Sequence, residues 1–165
     1  MQKAHKGLGT KKAYVYDYPD NRFDAVALLE IIKTIGKIKK EVKPDIVFTH
    51  HGGDLNIDHQ VVLNAVLAAL RPLPNEKTTQ NIAFEVASST EWNSPETRNY
   101  FMPVYFIDIS TTPKAKVKAM EAYRSEISKV PHPRSKVALE AISKPRGVQV
   151  GLKAAEAFKV IRIID

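Results

Sequence analysis

The sequence contains no cysteine among its 165 residues. Disulfides and thiolate metal sites are therefore excluded, and any metal must bind histidine, aspartate or glutamate. Long hydrophobic runs are missing too: no segment approaches the roughly 20 apolar residues of a membrane-spanning helix. The N-terminal stretch MQKAHKGLGTKK has no apolar signal core. These absences predict a soluble, cytoplasmic protein.

Two common catalytic signatures are also absent. The sequence has no glycine-rich phosphate loop of either standard kind and no Gly-x-Ser-x-Gly nucleophile turn. The formal net charge is +7, but no arginine-rich run or aromatic stacking platform accompanies it. The lysines alternate with apolar residues in helical stretches, so a solvated helix face explains most of the charge. An anionic small substrate is the alternative, and specific nucleic-acid binding is not expected.

Hydrophobic periodicity predicts one α/β domain over residues 1–165, with a mainly parallel sheet flanked by helices. The predicted strands are 11–18, 45–49, 81–87 and 103–109, and the predicted helices are 22–42, 57–70 and 111–128. The 45–49 strand is continuously apolar, as expected when both faces are covered. A further helix follows residue 135, interrupted by Pro145 and Gly147. Residues 151–164 are predicted as a helix or a helix running into a strand.

A dense polar cluster follows the 45–49 strand directly. Its members are His50, His51, Gly52, Gly53, Asp54, Asn56, Asp58 and His59. Ligands bind at the carboxyl ends of strands in open α/β sheets, and the N-terminus of the next helix points into the same space. The acidic spacing resembles the start of a calcium loop, but His59 and Ala65 replace its required glycine and glutamate. The cluster therefore predicts a ligand or metal site of another kind.

His59 is the predicted metal ligand, because the helical spacing to Val62 and Val66 turns it inward. A hydrogen-bonded core histidine is the structural alternative. Asp58 is expected to orient a ring or a water beside it. Of His50 and His51, one is expected to cap the strand end or bind substrate, and the other to belong to the scaffold.

Three further segments carry polar side chains with ordinary structural explanations beside functional ones. Arg22 and Asp20 lie in 17–24, which also fits a turn and helix cap. His132 and Arg134 lie in the proline-bracketed 131–135, either a substrate contact or a surface turn. Glu91 and the single tryptophan, Trp92, follow a predicted strand and either line a pocket or pack against the core.

With these residues in place, the chain resembles the PIG-L/LmbE-like family of zinc-dependent de-N-acetylases. The resemblance rests on THHGGDLNIDH (49–59), YDYPDNRFD (16–24), SSTEW (88–92), AYRSEI (122–127) and PHPRS (131–135), in the family's order. It implies a Rossmann-like fold and hydrolysis of an acetamide on a sugar, often an N-acetylglucosamine conjugate. It also implies a Zn²⁺ held by a histidine and an aspartate of an N-terminal His-Pro-Asp-Asp motif and by a third ligand matching His59.

The resemblance implies roles for the other site residues. Asn56 stands where many members have a histidine, so it can donate to an oxyanion but cannot relay a proton. Asp58 assists catalysis from beside His59, and His51 is the candidate for proton transfer. The implied substrate contacts are Arg22, His50, Asp54 and Arg134.

One departure from the family pattern is decisive for these expectations. The sequence has no His-Pro-Asp-Asp motif. The chain therefore resembles the C-terminal portion of a deacetylase domain, without the N-terminal strand and helix, with one zinc ligand of three and no general base. Such a chain is expected to be inactive alone and, with uncovered sheet edges, to form a homo-oligomer. The alternative is a non-catalytic remnant that binds a sugar or a protein partner.

Overall fold

The computed structural model describes residues 2–74, 76–94, 96 and 99–165. Its helices are α1 (Gln2–Leu8), α2 (Leu28–Val42), α3 (Ile57–Ala69), α4 (Pro113–Glu121) and α5 (Lys136–Val148), with a short 3-10 helix at Phe23–Ala25. Its strands are β1 (Ile46–His50), β2 (Gln80–Phe84), β3 (Tyr105–Asp108) and β4 (Ala155–Ile163). No described helix is both long enough and apolar enough to cross a membrane.

The four strands form one sheet in the order β1-β2-β4-β3. Strands β1 and β2 are parallel, with Ile46 opposite Gln80 and His50 opposite Phe84. Strands β2 and β4 are antiparallel, with an irregularity between Asn81 and Ile82. The predicted α/β class is confirmed, and the sheet, expected to be mainly parallel, is mixed.

The chain divides into two compact units. One comprises Met1–Asp17 and Phe106–Ala157, and the other Tyr18–Tyr105 and Phe158–Asp165. In the first unit α1 packs on α4 and α4 on α5. Helix α5 begins at a proper cap, because the Ser135 hydroxyl accepts from the Ala138 N–H at 3.2 Å.

The second unit contains α2, α3, β1 and β2 and positions the polar cluster. Helix α3 packs on α2 and on β1. Its C-terminus is held by two cations: the Lys39 ammonium donates to the Ala69 carbonyl at 2.9 Å, and Arg162 donates to the Leu70 carbonyl at 2.6 Å. Cations at this end complement the helix dipole. The opposite end of α3, which carries Asp58 and His59, is thereby fixed beside the end of β1.

Residues 11–18 were predicted as a strand, and that prediction is wrong. The segment lies outside the sheet, and Val15 and Tyr16 are exposed. β-Branched and aromatic residues favour a pleated surface only when a neighbouring strand and a core are present to pack against. The helix expected to start at residue 22 begins instead at Leu28, after the 3-10 turn.

The C-terminal region also differs from the sequence prediction. Pro145 and Gly147 do not interrupt the helix that contains them, because α5 continues to Val148. A proline in the last turn removes only one helical hydrogen bond, and Gly147 permits a close approach, 2.7 Å from its would-be Cβ to the Leu152 carbonyl oxygen. The following segment is the strand β4 rather than a helix.

Strand β1 is less enclosed than its composition predicts. Ile46 and Phe48 each keep 43% of their surface exposed. Strand β1 lies at one end of the described sheet order. Its two faces are therefore not both covered, as they would be in a central strand. An apolar surface is left there on the described part of the chain.

Candidate active site

The polar turn that follows β1 is built around a close backbone approach at Gly53. A Cβ at this position would lie 2.3 Å from the Asn99 carbonyl oxygen and 2.6 Å from Nε2 of His51. Only glycine avoids both contacts. The turn is closed by a hydrogen bond of 3.3 Å from the Asp54 N–H to the His51 carbonyl. The chain can then reverse and deliver Asp54 into the interior.

Asp54 is completely buried and is the nearest partner of His59. Its Oδ2 lies 2.7 Å from Nδ1 of His59, and its Oδ1 accepts from the Thr90 hydroxyl. The Gln60 side-chain amide donates to the Asp54 backbone carbonyl at 2.6 Å. Asp54 is therefore the residue that orients the His59 ring. From the sequence, Asp58 was expected to orient the ring and Asp54 to contact the substrate.

The Asp54–His59 pair leaves Nε2 as the ring nitrogen available to a ligand. A carboxylate bonded to one nitrogen of a histidine, with a metal on the other, is a common arrangement in metal sites. The His59 side chain retains 18% exposure, so the ring is not fully enclosed. Among the described residues, no three His, Cys, Asp or Glu side chains come together as a metal site. These residues thus fit one ligand of a zinc site and not a complete site.

His50 stacks on one face of the His59 ring. The ring centroids are 4.2 Å apart and the planes 15° from parallel, and His50 also contacts the Phe84 ring at 4.9 Å. Burial, and next the neighbouring His59, lower the pKa of His50 to about 4. His50 is therefore neutral near pH 7, and its buried Nδ1 has no hydrogen-bond partner in the described part of the chain.

His51 is enclosed by scaffold. It is buried, its Nε2 lies 2.9 Å from the Asn99 carbonyl oxygen, and its ring meets Phe101 edge-on at 5.2 Å. This environment fits the scaffold role expected of one of the two adjacent histidines. It does not provide the solvent contact needed for the proton transfer that was expected of His51.

Asp58 and Asn56 anchor a neighbouring loop. The Asp58 carboxylate accepts from the backbone N–H groups of Asn21 at 2.7 Å and Phe23 at 2.9 Å. Asn56 caps α3 by accepting from the Asp58 N–H at 2.8 Å, and its amide donates to Asn21 Oδ1 at 3.1 Å. The exposed Arg22 lies between the two anchored residues. Arg22, Asn56 and Asp58 are thus brought together at the start of α3.

The segment after β2 supplies residues that sequence reasoning missed. Thr90 bonds Asp54, and the Asn93 side chain donates to the Gly53 carbonyl. Glu91, by contrast, accepts from the Ser88 N–H at 2.7 Å within its own turn, and Trp92 is exposed. The available signal was positional: β2 is the parallel neighbour of β1, so polar residues after both strands meet at one sheet edge.

Arg134 and His132 lie in the other compact unit. Arg134 forms an ion pair with Glu126, and its backbone N–H donates to His132 Nδ1 at 3.0 Å. The structure therefore shows a local structural role for both side chains. The substrate contact expected of Arg134 stays a prediction.

Comparison with known proteins gives this arrangement a context. A family model described as PIG-L, GlcNAc-PI de-N-acetylase, matches residues 1–70, which include His59. A search of curated proteins found no significant match.

Three solved structures share the fold. The conserved protein TT1542 from Thermus thermophilus superposes with a TM-score of 0.76 at 20% identity, over 99% of this chain and 72% of its own. The N,N'-diacetylchitobiose deacetylase from Pyrococcus horikoshii gives 0.73 at 20% identity, over 98% and 61%. The A40926 pseudoaglycone deacetylase Dbv21 gives 0.63 at 15% identity, over 99% and 69%.

These findings define the class as an α/β fold shared with de-N-acetylases. The resemblance to the PIG-L family is confirmed by sequence over residues 1–70, and the solved structures share the fold over nearly the whole chain. The chain spans 72%, 61% and 69% of the three solved chains. The activities of the two deacetylases are therefore carried to this chain only as a proposal.

Proposed function

We propose that this chain belongs to a zinc-dependent hydrolase that removes an N-acetyl group from a sugar-containing substrate, with Nε2 of His59 as one zinc ligand. The observation that carries the proposal is the fully buried Asp54 carboxylate, 2.7 Å from Nδ1 of His59. It leaves Nε2 for a metal at the carboxyl end of β1, inside the segment matched by the PIG-L model. Zinc in such a site supplies an activated water or a polarised amide carbonyl.

The substrate class is supported by the neighbouring structures. Two are deacetylases, and one of these is named for N,N'-diacetylchitobiose. We assign this chain an N-acetylated sugar, such as an N-acetylglucosamine conjugate. The net charge of +7 favours an anionic conjugate among the alternatives.

Within the cluster, each side chain receives a role that its contacts permit. The exposed Arg22 binds hydroxyl or anionic groups of the sugar, and the Asn56 amide has a second N–H besides the one bonded to Asn21. His50 packs as a neutral ring against His59 and borders the substrate. Asp54 and Asp58 position these groups rather than contact the reacting atoms.

The proposal assigns the remaining zinc ligands and the general base to residues outside this sequence. The family places them in a His-Pro-Asp-Asp motif, which the 165 residues do not contain. The intact mass of the native product from its source cells tests this directly. A mass above 18.5 kDa with that motif in the additional part is the expected result.

Zinc binding tests the assignment of His59. The metal-free native product is titrated with zinc by calorimetry, beside His59→Ala and the control His132→Ala, whose histidine lies in the other unit. His59→Ala is expected to lower zinc affinity at least about 10-fold, and His132→Ala to leave it unchanged. Equal affinities for all three proteins would refute the ligand assignment.

A non-catalytic sugar-binding or partner-binding protein is the second candidate. It is favoured by one observation: no three-ligand metal cluster occurs among the described residues. The two candidates differ in whether the protein hydrolyses the N-acetyl group of its ligand. Release of acetate from an N-acetylglucosamine conjugate by the native product, lost in His59→Ala, supports the enzyme. Binding of the same conjugate without acetate release, and unaffected by His59→Ala, supports the alternative.

A further inference from the structure

Thr90 holds Asp54 from the side opposite to His59. Its hydroxyl oxygen accepts a hydrogen bond of 2.8 Å from the Val86 backbone N–H. The same hydroxyl donates to Oδ1 of Asp54. A backbone N–H can only donate, so the single hydroxyl proton of Thr90 is directed at the carboxylate.

The second oxygen of the Asp54 carboxylate determines which nitrogen of His59 carries the proton. Asp54 is completely buried, and its Oδ2 lies 2.7 Å from Nδ1 of His59. A carboxylate is an acceptor only, so Nδ1 of His59 must be the donor. The proton is therefore on Nδ1 and the lone pair is on Nε2, the nitrogen that faces away from Asp54.

We infer that Thr90 is a positioning residue: through Asp54 it fixes the His59 imidazole in the tautomer that presents the Nε2 lone pair. The inference uses the proposed function only where it says what the lone pair binds. The surrounding backbone supports the geometry, because the Leu55 N–H donates to the Ser89 carbonyl at 2.9 Å. The loop after β2 is thereby locked onto the turn that carries Asp54.

Removing the hydroxyl has a defined consequence. In Thr90→Val the side chain keeps its shape, but the Val86 N–H and Oδ1 of Asp54 lose their partner inside the protein. The carboxylate then keeps only its contact with His59 and is free to rotate away from the ring. An imidazole without a fixed partner on Nδ1 distributes its proton over both nitrogens, so the Nε2 lone pair is only partly available.

The test is ¹⁵N NMR of the histidine rings in the metal-free chain, which distinguishes a protonated from an unprotonated ring nitrogen. Wild type and Thr90→Ser are expected to show His59 with the proton on Nδ1. Thr90→Val is expected to show a mixture of tautomers. Ser89→Ala is the matched control, because it removes a neighbouring hydroxyl and keeps the Ser89 carbonyl, and it should match wild type.

Zinc affinity provides the second measurement. In the native product, Thr90→Val is expected to weaken zinc binding by up to about 10-fold, the lower end of the effect of losing a direct outer partner of a metal ligand, because Thr90 acts through Asp54. Thr90→Ser should retain most of the affinity. Should Thr90→Val fail to fold, the exchange of the Thr90 hydroxyl proton with solvent decides the inference: slow exchange supports it and rapid exchange overturns it.

Two results would overturn the inference: a wild-type His59 protonated on Nε2, or a folded Thr90→Val protein with the wild-type tautomer and zinc affinity. A different set of results would contradict the proposed function and leave this inference standing. In that case the wild-type chain shows the Nδ1 tautomer and its loss in Thr90→Val, but His59→Ala and wild type bind zinc equally.

Discussion

The imidazole rings of His50 and His59 are stacked, with centroids 4.2 Å apart and planes 15° from parallel. A ring that packs this way in a largely enclosed place is stable as a neutral group and costly as a cation. Burial and the adjacent His59 accordingly lower the pKa of His50 from 6.5 to about 4. The site therefore places a neutral aromatic ring beside the nitrogen proposed to bind a cation.

The lowered pKa of His50 predicts a loss of stability on acidification. Between pH 6.5 and about 4 the unfolded chain binds a proton at His50 that the folded chain does not. The free energy of unfolding is therefore highest above pH 6.5 and falls as the pH decreases through this window. The contribution is at most on the order of 3 kcal/mol, measured by urea unfolding of the metal-free chain across the window.

The variant His50→Phe isolates this contribution. It keeps a ring against His59 and Phe84 but cannot bind a proton. Its stability should decrease less than that of wild type over the same pH range. An equally steep decrease in both proteins would show that other groups cause the acid sensitivity.

Asp58 is predicted to act mainly through the loop that it anchors. Replacement by Asn leaves one acceptor oxygen for two backbone donors, the N–H groups of Asn21 and Phe23. Loss of a hydrogen bond to a charged group costs about 1.5–3 kcal/mol. We expect Asp58→Asn to lower the free energy of unfolding by about this amount and to speed hydrogen exchange at the amides of Asn21 and Phe23.

Asp20→Asn is the matched control for that variant. Asp20 is exposed and bonds only the Asn21 side chain, at 3.2 Å, among its described contacts. It should change stability by less than about 0.5 kcal/mol. If Asp58→Asn abolished deacetylation by the native product without altering amide exchange at Asn21 and Phe23, a direct catalytic role would replace the anchoring role.

Gly53 and Gly36 predict opposite effects of the same substitution. A Cβ at Gly53 would lie 2.3 Å from the Asn99 carbonyl oxygen, whereas one at Gly36, inside α2, meets nothing within 4 Å. Gly53→Ala should destabilise the protein by about 1–3 kcal/mol. Gly36→Ala should stabilise it by about 0.5–1 kcal/mol, because alanine favours a helix. Urea unfolding of both variants measures the difference, and destabilisation by Gly36→Ala would contradict it.

The sequence was sufficient for the elements that carry a strong pattern. Strand β1 and helix α3 lie within one residue of their predicted bounds, because a continuous apolar run and a regular helical stripe report burial directly. Residues 11–18 carried an equally clear β-type composition but pair with no strand in the described sheet. A strand depends on its neighbours, which composition does not show.

Within the site, the sequence located the cluster but not its internal partners. His59 has Asp54 as its partner rather than its neighbour Asp58, because the Gly52–Gly53 turn folds residue 54 back under the helix start. Thr90 completes the arrangement from 36 residues away along the chain. Such pairings depend on which strand ends meet at a sheet edge. Here the ends of β1 and β2 meet because the two strands are parallel neighbours.

The exposed side of β1 predicts self-association. Ile46 and Phe48 project from a strand at the end of the described sheet order, each 43% exposed. Apolar side chains on an edge strand favour pairing with another chain, and a lysine there opposes it. The sedimentation coefficient of the 165-residue chain should therefore rise with concentration, and Ile46→Lys should reduce that rise. Val137→Lys, on the exposed surface of α5, is the control: an equal effect of both lysines would attribute the change to charge alone and contradict association through β1.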